Sequence, residues 1–294
     1  MKKPLFSCVI PVKGERPFFD EALASLKSQG MGDDLEIIVQ DADVFNTKAQ
    51  RHGGTEDFRG ACGAGKNSSE SLCLCVEKNI DGVRWCRELD KGQSDALNKG
   101  FAKARGEWLF WLNADDVLLP GVLKKLELKI KSLEFKEVQW VAGNVIYIDN
   151  HGRVKWCAWD RGWRLSYKGL PVQVYGPSSF FRRELYESSG GFDISLKYVM
   201  DVDLWCRFRE MGCWYKKLPD FVWGFRLHKG SKTACAQEGC WTEEQIGEQA
   251  IINERYGLHN VRVASRIAKL LRLVNGSYVW AWIKTRKYSG KPLC

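Results

Sequence analysis

The chain has 294 residues, 45% of them apolar and 28% charged, a balance that supports a packed core and excludes a globally disordered chain. The formal net charge of +9 predicts acidic partners, such as a nucleotide diphosphate, an anionic lipid or a nucleic acid. The 11 cysteines lack the spacing of a zinc framework, so we expect free thiols in a reducing cytoplasm.

The first part of the chain predicts a strand, a helix and a second strand. The first strand covers Leu5–Val12, the helix runs from Pro17 to Gly30, and the second strand covers Leu35–Gln40. This order is typical of a parallel α/β sheet. Residues 46–82 are glycine-rich and irregular, and a helix over 69–79 is one interpretation of their last part.

Regular alternation of strands and helices then resumes. The pattern predicts a strand at Val83–Arg87, a helix over Gln93–Ala104, a strand at Glu107–Leu112 and a helix from Pro120 to about Ser132. The second of these strands is a continuous apolar run, as expected for a central strand that is covered on both faces.

The rest of the chain contains no internal repeat and predicts further short elements. We expect strands at 140–148 and 154–158, a short strand after Pro177, and helices near 183–188, 203–211 and 242–256.

Polar residues follow three of the predicted strands. Arg16 lies in the loop after the first strand, Asp41 ends the second, and Asp115 and Asp116 follow the apolar strand. Ligands of open α/β sheets bind at the carboxyl ends of the strands. Carboxylates that converge there repel one another unless a cation neutralises them, and a hard divalent ion shared with substrate phosphates does so. The pattern therefore suggests a nucleotide diphosphate with Mg or Mn, although aspartates that only cap the following helices explain it equally well.

Several short motifs follow one another in a characteristic order. They are Asp90–Gly100, Ala104–Glu107, Trp111–Asp116, Leu119–Gly121, Gly190–Asp193, Met200–Arg207 and Phe225–Thr233. In this order they resemble the family 2 glycosyltransferases, and the resemblance covers roughly residues 1–45, 83–130 and 170–235.

This resemblance implies a GT-A fold, which is an α/β fold with a Rossmann-like, mostly parallel central sheet flanked by helices. The glycosyltransferase domain would cover 1–235, with a nucleotide-sugar-binding half over 1–120 and an acceptor-binding half over 121–235. A basic, amphipathic helical extension would follow over 236–294. The implied reaction is inverting and uses Mg or Mn. It moves a sugar from a nucleotide-diphosphate sugar to a hydroxyl of a glycan or lipid-linked glycan, in polysaccharide or glycolipid synthesis.

The resemblance also assigns roles to individual residues. Asp201 matches the catalytic base, Asp41 matches the carboxylate that hydrogen-bonds the nucleobase, and Asp115 matches the metal-binding member of the Asp-x-Asp motif. The expected nucleotide-sugar-binding residues are Pro11, Arg16, Asp41, Asp95, Asn113 and Asp115, and the expected metal ligands are Asp115, Asp116 and His228.

Three departures from the family pattern accompany these assignments. Asn113 replaces the first aspartate of the metal motif, the loop after Gln40 lacks the usual Gly-Ser, and residues 46–82 are longer than in a typical member. For two residues a structural role is an equal alternative: a loop hydrogen bond for His228, and an i,i+4 ion pair with Lys99 for Asp95.

Two other function classes compete with this interpretation. Gly60–Lys66 nearly matches a phosphate-binding P-loop of a nucleotide hydrolase or kinase. However, Asn67 lacks the hydroxyl that such loops use to hold Mg, and a polar segment replaces the buried strand that should precede the loop. The second alternative is a catalytically inactive GT-A-like binding protein. We do not expect nucleic acid to be the partner.

The C-terminal segment predicts an amphipathic helix. Val263, Ile267, Leu270, Leu271 and Val274 share one helical stripe, and Gly276 then breaks the helix before a Trp-rich segment. No apolar run is long enough to span a bilayer. The helix either lies on an anionic membrane surface or packs on the catalytic domain, and we expect a cytoplasmic protein that is peripheral to the inner face of the membrane.

Overall fold

The computed structural model describes residues 2–43, 76–160, 174–228, 231, 241–258 and 261–293. Two sequence predictions lie wholly or partly outside the described residues: the P-loop-like run Gly60–Lys66, and residues 69–75 of the helix considered over 69–79.

Ten strands of the described chain form one mixed sheet, in the order β3-β4-β2-β1-β5-β9-β7-β10-β6, with β8 added to β7. The neighbours β4, β2, β1 and β5 are parallel, as are β7 and β10, whereas β3, β6, β8 and β9 pair antiparallel. The strands are β1 Phe6–Val12, β2 Leu35–Asp41, β3 Val76–Ile80, β4 Val83–Arg87, β5 Trp108–Trp111, β6 Val117–Leu118, β7 Trp140–Ile148, β8 Val154–Ala158, β9 Ser179–Arg182 and β10 Lys216–Arg226.

Eight α-helices of the described chain accompany this sheet. They are α1 Phe19–Lys27, α2 Gln93–Lys103, α3 Val122–Ile130, α4 Arg183–Ser188, α5 Met200–Glu210, α6 Glu243–Arg255, α7 Val261–Val274 and α8 Ser277–Tyr288. The sheet is mostly parallel in its central part and helices flank it, so the predicted α/β architecture is confirmed.

The central strands are buried on both faces, which explains their continuous apolar sequences. On β5, Phe110 belongs to the hydrophobic cluster that includes α1 and α3, whereas Leu109 and Trp111 belong to the cluster that includes α2, α4 and α5. Strand β1 divides in the same way, with Cys8 and Ile10 on one side and Val9 on the other. Because side chains alternate along a strand, both faces need apolar residues.

Several elements differ from the sequence predictions, among them the short strand β6, which was not predicted. Residues 76–79 belong to strand β3 and not to a helix, because Asp81 and Gly82, both with positive φ, form a two-residue hairpin turn into β4. Helix α5 begins at Met200, three residues before the predicted start. Strand β10 was not predicted at all; its pairing with β7 shifts register on both sides of Phe221, which interrupts the alternation that identifies strands.

The C-terminal helices attach to the domain at several points. Helix α6 begins with the predicted cap, because Thr242 accepts a hydrogen bond from the backbone of Gln245, whose side chain accepts one in return. Helix α8 packs along β8, where the Thr285 hydroxyl accepts a hydrogen bond from the Cys157 amide at 2.9 Å. None of the helices among the described residues is long and apolar enough to cross a membrane.

Candidate active site

The carboxyl ends of three parallel strands bring the predicted donor-site residues to one edge of the sheet. Asp41 ends β2 and pairs in register with Val12 at the end of β1, and Trp111 ends the neighbouring β5. Pro11, opposite Gln40, is half-buried in the same region. Parallel pairing therefore places the loops that follow β1, β2 and β5 side by side.

Asp41 is a fully buried carboxylate held by two arginines. Its Oδ2 atom lies 3.3 Å from Arg16 Nη1 and 3.4 Å from Arg87 Nε, and its Oδ1 atom accepts the backbone N–H of Asp43 at 3.0 Å. The Arg16 guanidinium also lies 5.7 Å from the Trp85 ring centroid, and Arg16 keeps 28% of its side chain exposed. The accessible surface at this strand end therefore belongs to Arg16, with Asp41 beneath it.

Asp116 is buried below the turn that follows β5. Its carboxylate accepts hydrogen bonds from Asn113 Nδ2 at 2.8 Å and from the backbone N–H of Arg226 at 2.9 Å. Burial, and then the nearby charge of Asp115, raise the pKa of Asp116 well above its usual value. Asp116 therefore connects the turn to the end of β10 from inside the protein.

The Asp115 side chain is not buried with Asp116 but contacts His228. Its Oδ2 atom lies 2.8 Å from His228 Nε2, and the two side chains are 30% and 20% exposed. His228 follows the end of β10 by two residues and contacts the Phe18 ring, with 5.3 Å between ring centroids. Within the described part of the chain, no group of three His, Cys, Asp or Glu side chains forms a complete metal site. A carboxylate oxygen and an imidazole nitrogen thus lie together at a partly exposed surface.

Arg226 contacts both aspartates, although no sequence pattern assigned it a role. Its side chain is fully buried, donates from Nε to the Asp115 carbonyl at 2.9 Å, pairs with Glu21 of α1 and lies 4.4 Å from the Phe18 ring centroid. The sequence offered one indication of this role: Arg226 lies within an apolar run before His228. A guanidinium that is buried there needs hydrogen-bonding or charged partners.

Helix α2 reaches the site through Gln93, another residue that the sequence analysis did not assign. Gln93 Nε2 donates to Asn113 Oδ1 at 3.0 Å. The predicted Asp95 is instead engaged within its own helix start, where it accepts the Lys91 N–H at 2.9 Å and pairs with Lys99 at 3.1 Å. The i,i+4 pair that was one alternative for Asp95 is present.

Asp201, in the first turn of α5, lies beside the end of β5. Its carboxylate accepts the backbone N–H of Val202 at 2.9 Å, and burial raises its pKa to about 6. Gly176 separates Asp201 from Trp111: a Cβ there would lie 2.7 Å from the Trp111 ring and 3.1 Å from Asp201 Oδ2. In the described chain, no lysine or arginine forms an ion pair with Asp201. The carboxylate is thus enclosed, without a balancing cation, next to the strand that leads to Asp115.

Asp203 lies two residues further on and is fully buried among cations. It pairs with Arg207 at 2.7 Å and with Arg255 of α6 at 2.7 Å, and it accepts the Tyr256 hydroxyl hydrogen at 2.8 Å. These contacts join α5 to α6 and leave Asp203 no free oxygen for an acceptor.

The sequence matches one protein family and several relatives. The model of glycosyl transferase family 2 matches residues 65–188. An uncharacterized glycosyltransferase of Rickettsia prowazekii is 24% identical over 220 residues, which cover 72% of this chain and 61% of that protein. A PGL/p-HBAD biosynthesis glycosyltransferase of Mycobacterium bovis is 25% identical over 206 residues, 69% of each chain. The chain spans about three fifths of the length of the rickettsial relative.

The fold is also similar to that of a solved structure, S. aureus TarS 1-349 in complex with UDP-GlcNAc. The TM-score is 0.50 at 14% sequence identity, and the match covers 81% of this chain and 61% of the TarS chain. At this identity the likeness concerns the fold alone. Over residues 65–188, which are less than half of the chain, the sequence is similar to glycosyl transferase family 2, and the mostly parallel sheet with its flanking helices is the GT-A fold.

Proposed function

We propose that this protein transfers a sugar from a nucleotide-diphosphate sugar to an acceptor hydroxyl in a single inverting displacement. The observation that carries the proposal is the placement of Asp201. Its carboxylate has a pKa raised to about 6 and lies beside Trp111, the end of the strand that leads to the exposed Asp115–His228 pair. A base beside a diphosphate site is what a displacement of this kind requires.

The donor would occupy the edge formed by the ends of β1, β2 and β5. We propose that the nucleobase binds at Arg16 above Asp41, and that the diphosphate lies toward Asn113 and Asp115. The guanidinium of Arg16 is partly exposed and offers hydrogen-bond donors. Its ion pair with Asp41 and its position over the Trp85 ring keep it oriented. The TarS structure contains UDP-GlcNAc, so uridine-diphosphate sugars are among the first donors to test.

Asp115 and His228 would hold a divalent cation, Mg or Mn, together with oxygens of the donor. Their geometry fits such an ion, because one carboxylate oxygen and one imidazole nitrogen converge with part of their surface exposed. A site of few protein ligands that is completed by substrate phosphates is usual for Mg. When bound, the ion offsets the negative charge that develops on the departing diphosphate. Asp116, expected to be a ligand, is buried and hydrogen-bonded, so we propose that it positions the Asp115 turn.

Asp201 would act as the general base. The acceptor hydroxyl gives its proton to the Asp201 carboxylate while its oxygen attacks the anomeric carbon, and the bond from that carbon to the diphosphate breaks. A single displacement without an enzyme nucleophile inverts the configuration at that carbon. Asp203 is unsuitable for this role because Arg207, Arg255 and Tyr256 occupy its carboxylate.

For the acceptor we propose a hydroxyl of a glycan or lipid-linked glycan, in polysaccharide or glycolipid synthesis at the inner face of a membrane. The mycobacterial relative is named for PGL/p-HBAD biosynthesis, which supports a role in building a larger product. The exposed apolar surface of the C-terminal helices supports the location.

The test is incubation of the purified protein with a panel of UDP-, GDP- and dTDP-sugars, each with Mg, with Mn and with EDTA, with nucleotide release as the readout. We expect release from one donor class only, and its loss in EDTA. ATP is included in the panel, and Lys66→Ala is the control variant for the P-loop alternative. ATP hydrolysis that disappears in Lys66→Ala, with no release from any sugar donor, would overturn the proposal.

A further inference from the structure

Each of the last two helices exposes a row of large apolar side chains. We call the two rows together the tail face: Ile267, Leu270 and Val274 on α7, and Val279, Trp282 and Ile283 on α8. Leu270 and Trp282 are each 60% exposed, and Val274 is 76% exposed. Scattered exposed apolar residues are ordinary, but a concentration on two successive helices marks an interaction site.

Helix geometry shows that the tail face is the outward side of packed helices. Residues three or four positions apart lie on the same side of a helix. This spacing relates positions 267, 270 and 274 on α7, and positions 279, 282, 283 and 286 on α8. On α8 the opposite stripe contains the buried Ser277 and the half-buried Thr285 and Tyr288. The inward side of α8 is thus already in contact with the domain, and a second apolar side remains.

Helix α8 is fixed to the half of the molecule that was expected to bind the acceptor. Beyond the Thr285 contact, the amide of Gly290 donates to the Val154 carbonyl at 2.8 Å and Lys291 accepts from the Val154 amide at 3.0 Å. At the start of the helix, Trp280 lies 6.1 Å from Trp159 between ring centroids. Whatever binds the tail face is therefore held in a set orientation to β7 and β8.

The charge around the tail face has one sign. Residues 261–294 contain no Asp or Glu and eight basic residues, namely Arg262, Arg266, Lys269, Arg272, Lys284, Arg286, Lys287 and Lys291. Arg266, Lys269, Arg286 and Lys287 are exposed. The Arg286 guanidinium lies 5.3 Å from the Trp282 ring centroid, so cationic and aromatic groups share one surface.

We propose that the tail face docks on an anionic lipid surface, with Trp282 at headgroup depth and the surrounding lysines and arginines on lipid phosphates. Aromatic rings, aliphatic side chains and basic residues on one helix side are the combination that lies in a membrane interface without crossing it. A second copy of this chain is a poorer occupant, because it would oppose two sets of helices whose own charged residues are all basic. Nucleic acid would use the basic residues but not the aliphatic stripe.

Docking is a property of α7 and α8 that does not require sugar transfer, although it would bring a lipid-linked acceptor to the proposed site. Because α8 is fixed to β8, docking orients the half of the protein that carries β7, β8 and β10 toward the lipid.

The test is co-sedimentation of the full chain, without nucleotide sugar, with vesicles of phosphatidylcholine alone or mixed with phosphatidylglycerol. We expect binding to the anionic vesicles only, weakened by high salt because screening acts on exposed charges. The double variant Leu270→Glu/Val274→Glu should reduce the partition coefficient about tenfold or more. Arg266→Gln/Lys269→Gln should have a similar effect at low salt.

Matched controls separate the tail face from general surface effects. Leu128→Glu/Leu133→Glu places the same charges on apolar residues that are 72% and 91% exposed elsewhere, and it should bind as the wild type does. Three results would overturn the proposal: no binding to either vesicle, equal loss in the control, or a dimer by light scattering that Leu270→Glu/Val274→Glu converts to a monomer. No nucleotide-sugar donor is present in these experiments, so their outcome does not bear on the proposed sugar transfer. A failure to transfer sugar would likewise not bear on vesicle binding.

Discussion

Asp201 and Asp203 lie two residues apart on α5 in opposite electrostatic surroundings. Asp203 is paired with two arginines, whereas Asp201 receives backbone N–H groups and no ion pair from the described residues. Such a division between neighbouring carboxylates is what the proposal requires, with Asp201 as the proton-transfer group and Asp203 as the structural one.

The first prediction concerns the pH dependence of transfer. Because burial raises the pKa of Asp201 to about 6, the base form is depleted below that pH. Turnover at saturating donor should therefore rise as the pH increases from 5 to 7 and level off above. A profile that is flat over this range would remove Asp201 from the role of base.

The second prediction concerns stability and the same residue. A raised carboxyl pKa means that the folded state binds the proton more tightly, so ionisation destabilises the fold as the pH rises from about 4 to about 6. Asp201→Asn should accordingly raise the Tm at pH 8 and leave it nearly unchanged at pH 4. An equal shift at both pH values would show that the substitution acts through packing and not through charge.

Asp203→Asn should have the opposite effect. Removing its charge weakens the ion pairs with Arg207 and Arg255 that join α5 to α6, and because both arginines are partly exposed, solvent compensates part of the loss. Thermal denaturation at pH 7 should show a lower Tm, whereas donor affinity of the folded fraction stays close to that of the wild type. Unchanged stability with lost turnover would exchange the roles of the two aspartates.

Asp115→Asn tests the metal proposal. The amide is a weaker ligand than the carboxylate beside His228, so the Mn concentration needed for nucleotide binding should increase at least tenfold, as measured by calorimetry. Asp220→Asn, which alters a surface pair with Lys125, serves as the control. Identical metal titrations for wild type and Asp115→Asn would exclude this carboxylate as a ligand.

At the scale of elements, one side-chain hydrogen bond contributes to the attachment of α8 to β8, beside the backbone hydrogen bonds at Val154. Thr285→Val removes the acceptor of the Cys157 amide, and an unpaired buried N–H costs about 1–3 kcal/mol. Hydrogen exchange at Cys157 should speed up in this variant and stay slow in Thr285→Ser, which keeps the hydroxyl. Equal exchange in all three proteins would show that packing and the backbone hydrogen bonds at Val154 hold the helix without the Thr285 hydroxyl.

The elements were predictable where one local signal dominated. The apolar run 107–112 identified β5, and Thr242 identified the start of α6. Strand β10 was missed because it contains Pro219 and Asp220 where its pairing shifts register, and neither residue is typical of a strand interior. The dipeptide Asp81–Gly82 is typical of a hairpin turn. Strand β3 was nevertheless missed, because its residues were interpreted as the end of a helix over 69–79.

For the whole molecule, strand order predicted that Asp41 and Asp115 lie at one edge of the sheet, but the contacts between distant segments were not predictable. Asp201 was assigned by the family motifs alone, and its position beside β5 came from the structure. The contacts of Arg226 with Glu21, and of Gln93 with Asn113, join residues 205 and 20 positions apart. No local pattern specifies such pairs, which is why Arg226 and Gln93 were not assigned.

The net charge of the chain was likewise predictable in amount but not in its position on the surface. The net charge of +9 suggested an acidic partner without locating it, and part of the basic excess surrounds the tail face. The alternatives of membrane docking and packing on the domain are compatible, because α8 packs on β8 with one side and exposes the other.

The most direct test of the central claim is single-turnover transfer from the identified donor, followed by rapid quench and NMR assignment of the anomeric configuration of the product. We predict that the wild type forms a product whose configuration is opposite to that of the donor. We also predict that Asp201→Asn binds the donor with near-normal affinity but transfers about 10²–10⁴-fold more slowly. A product with retained configuration, or transfer at the wild-type rate by Asp201→Asn, would contradict the account.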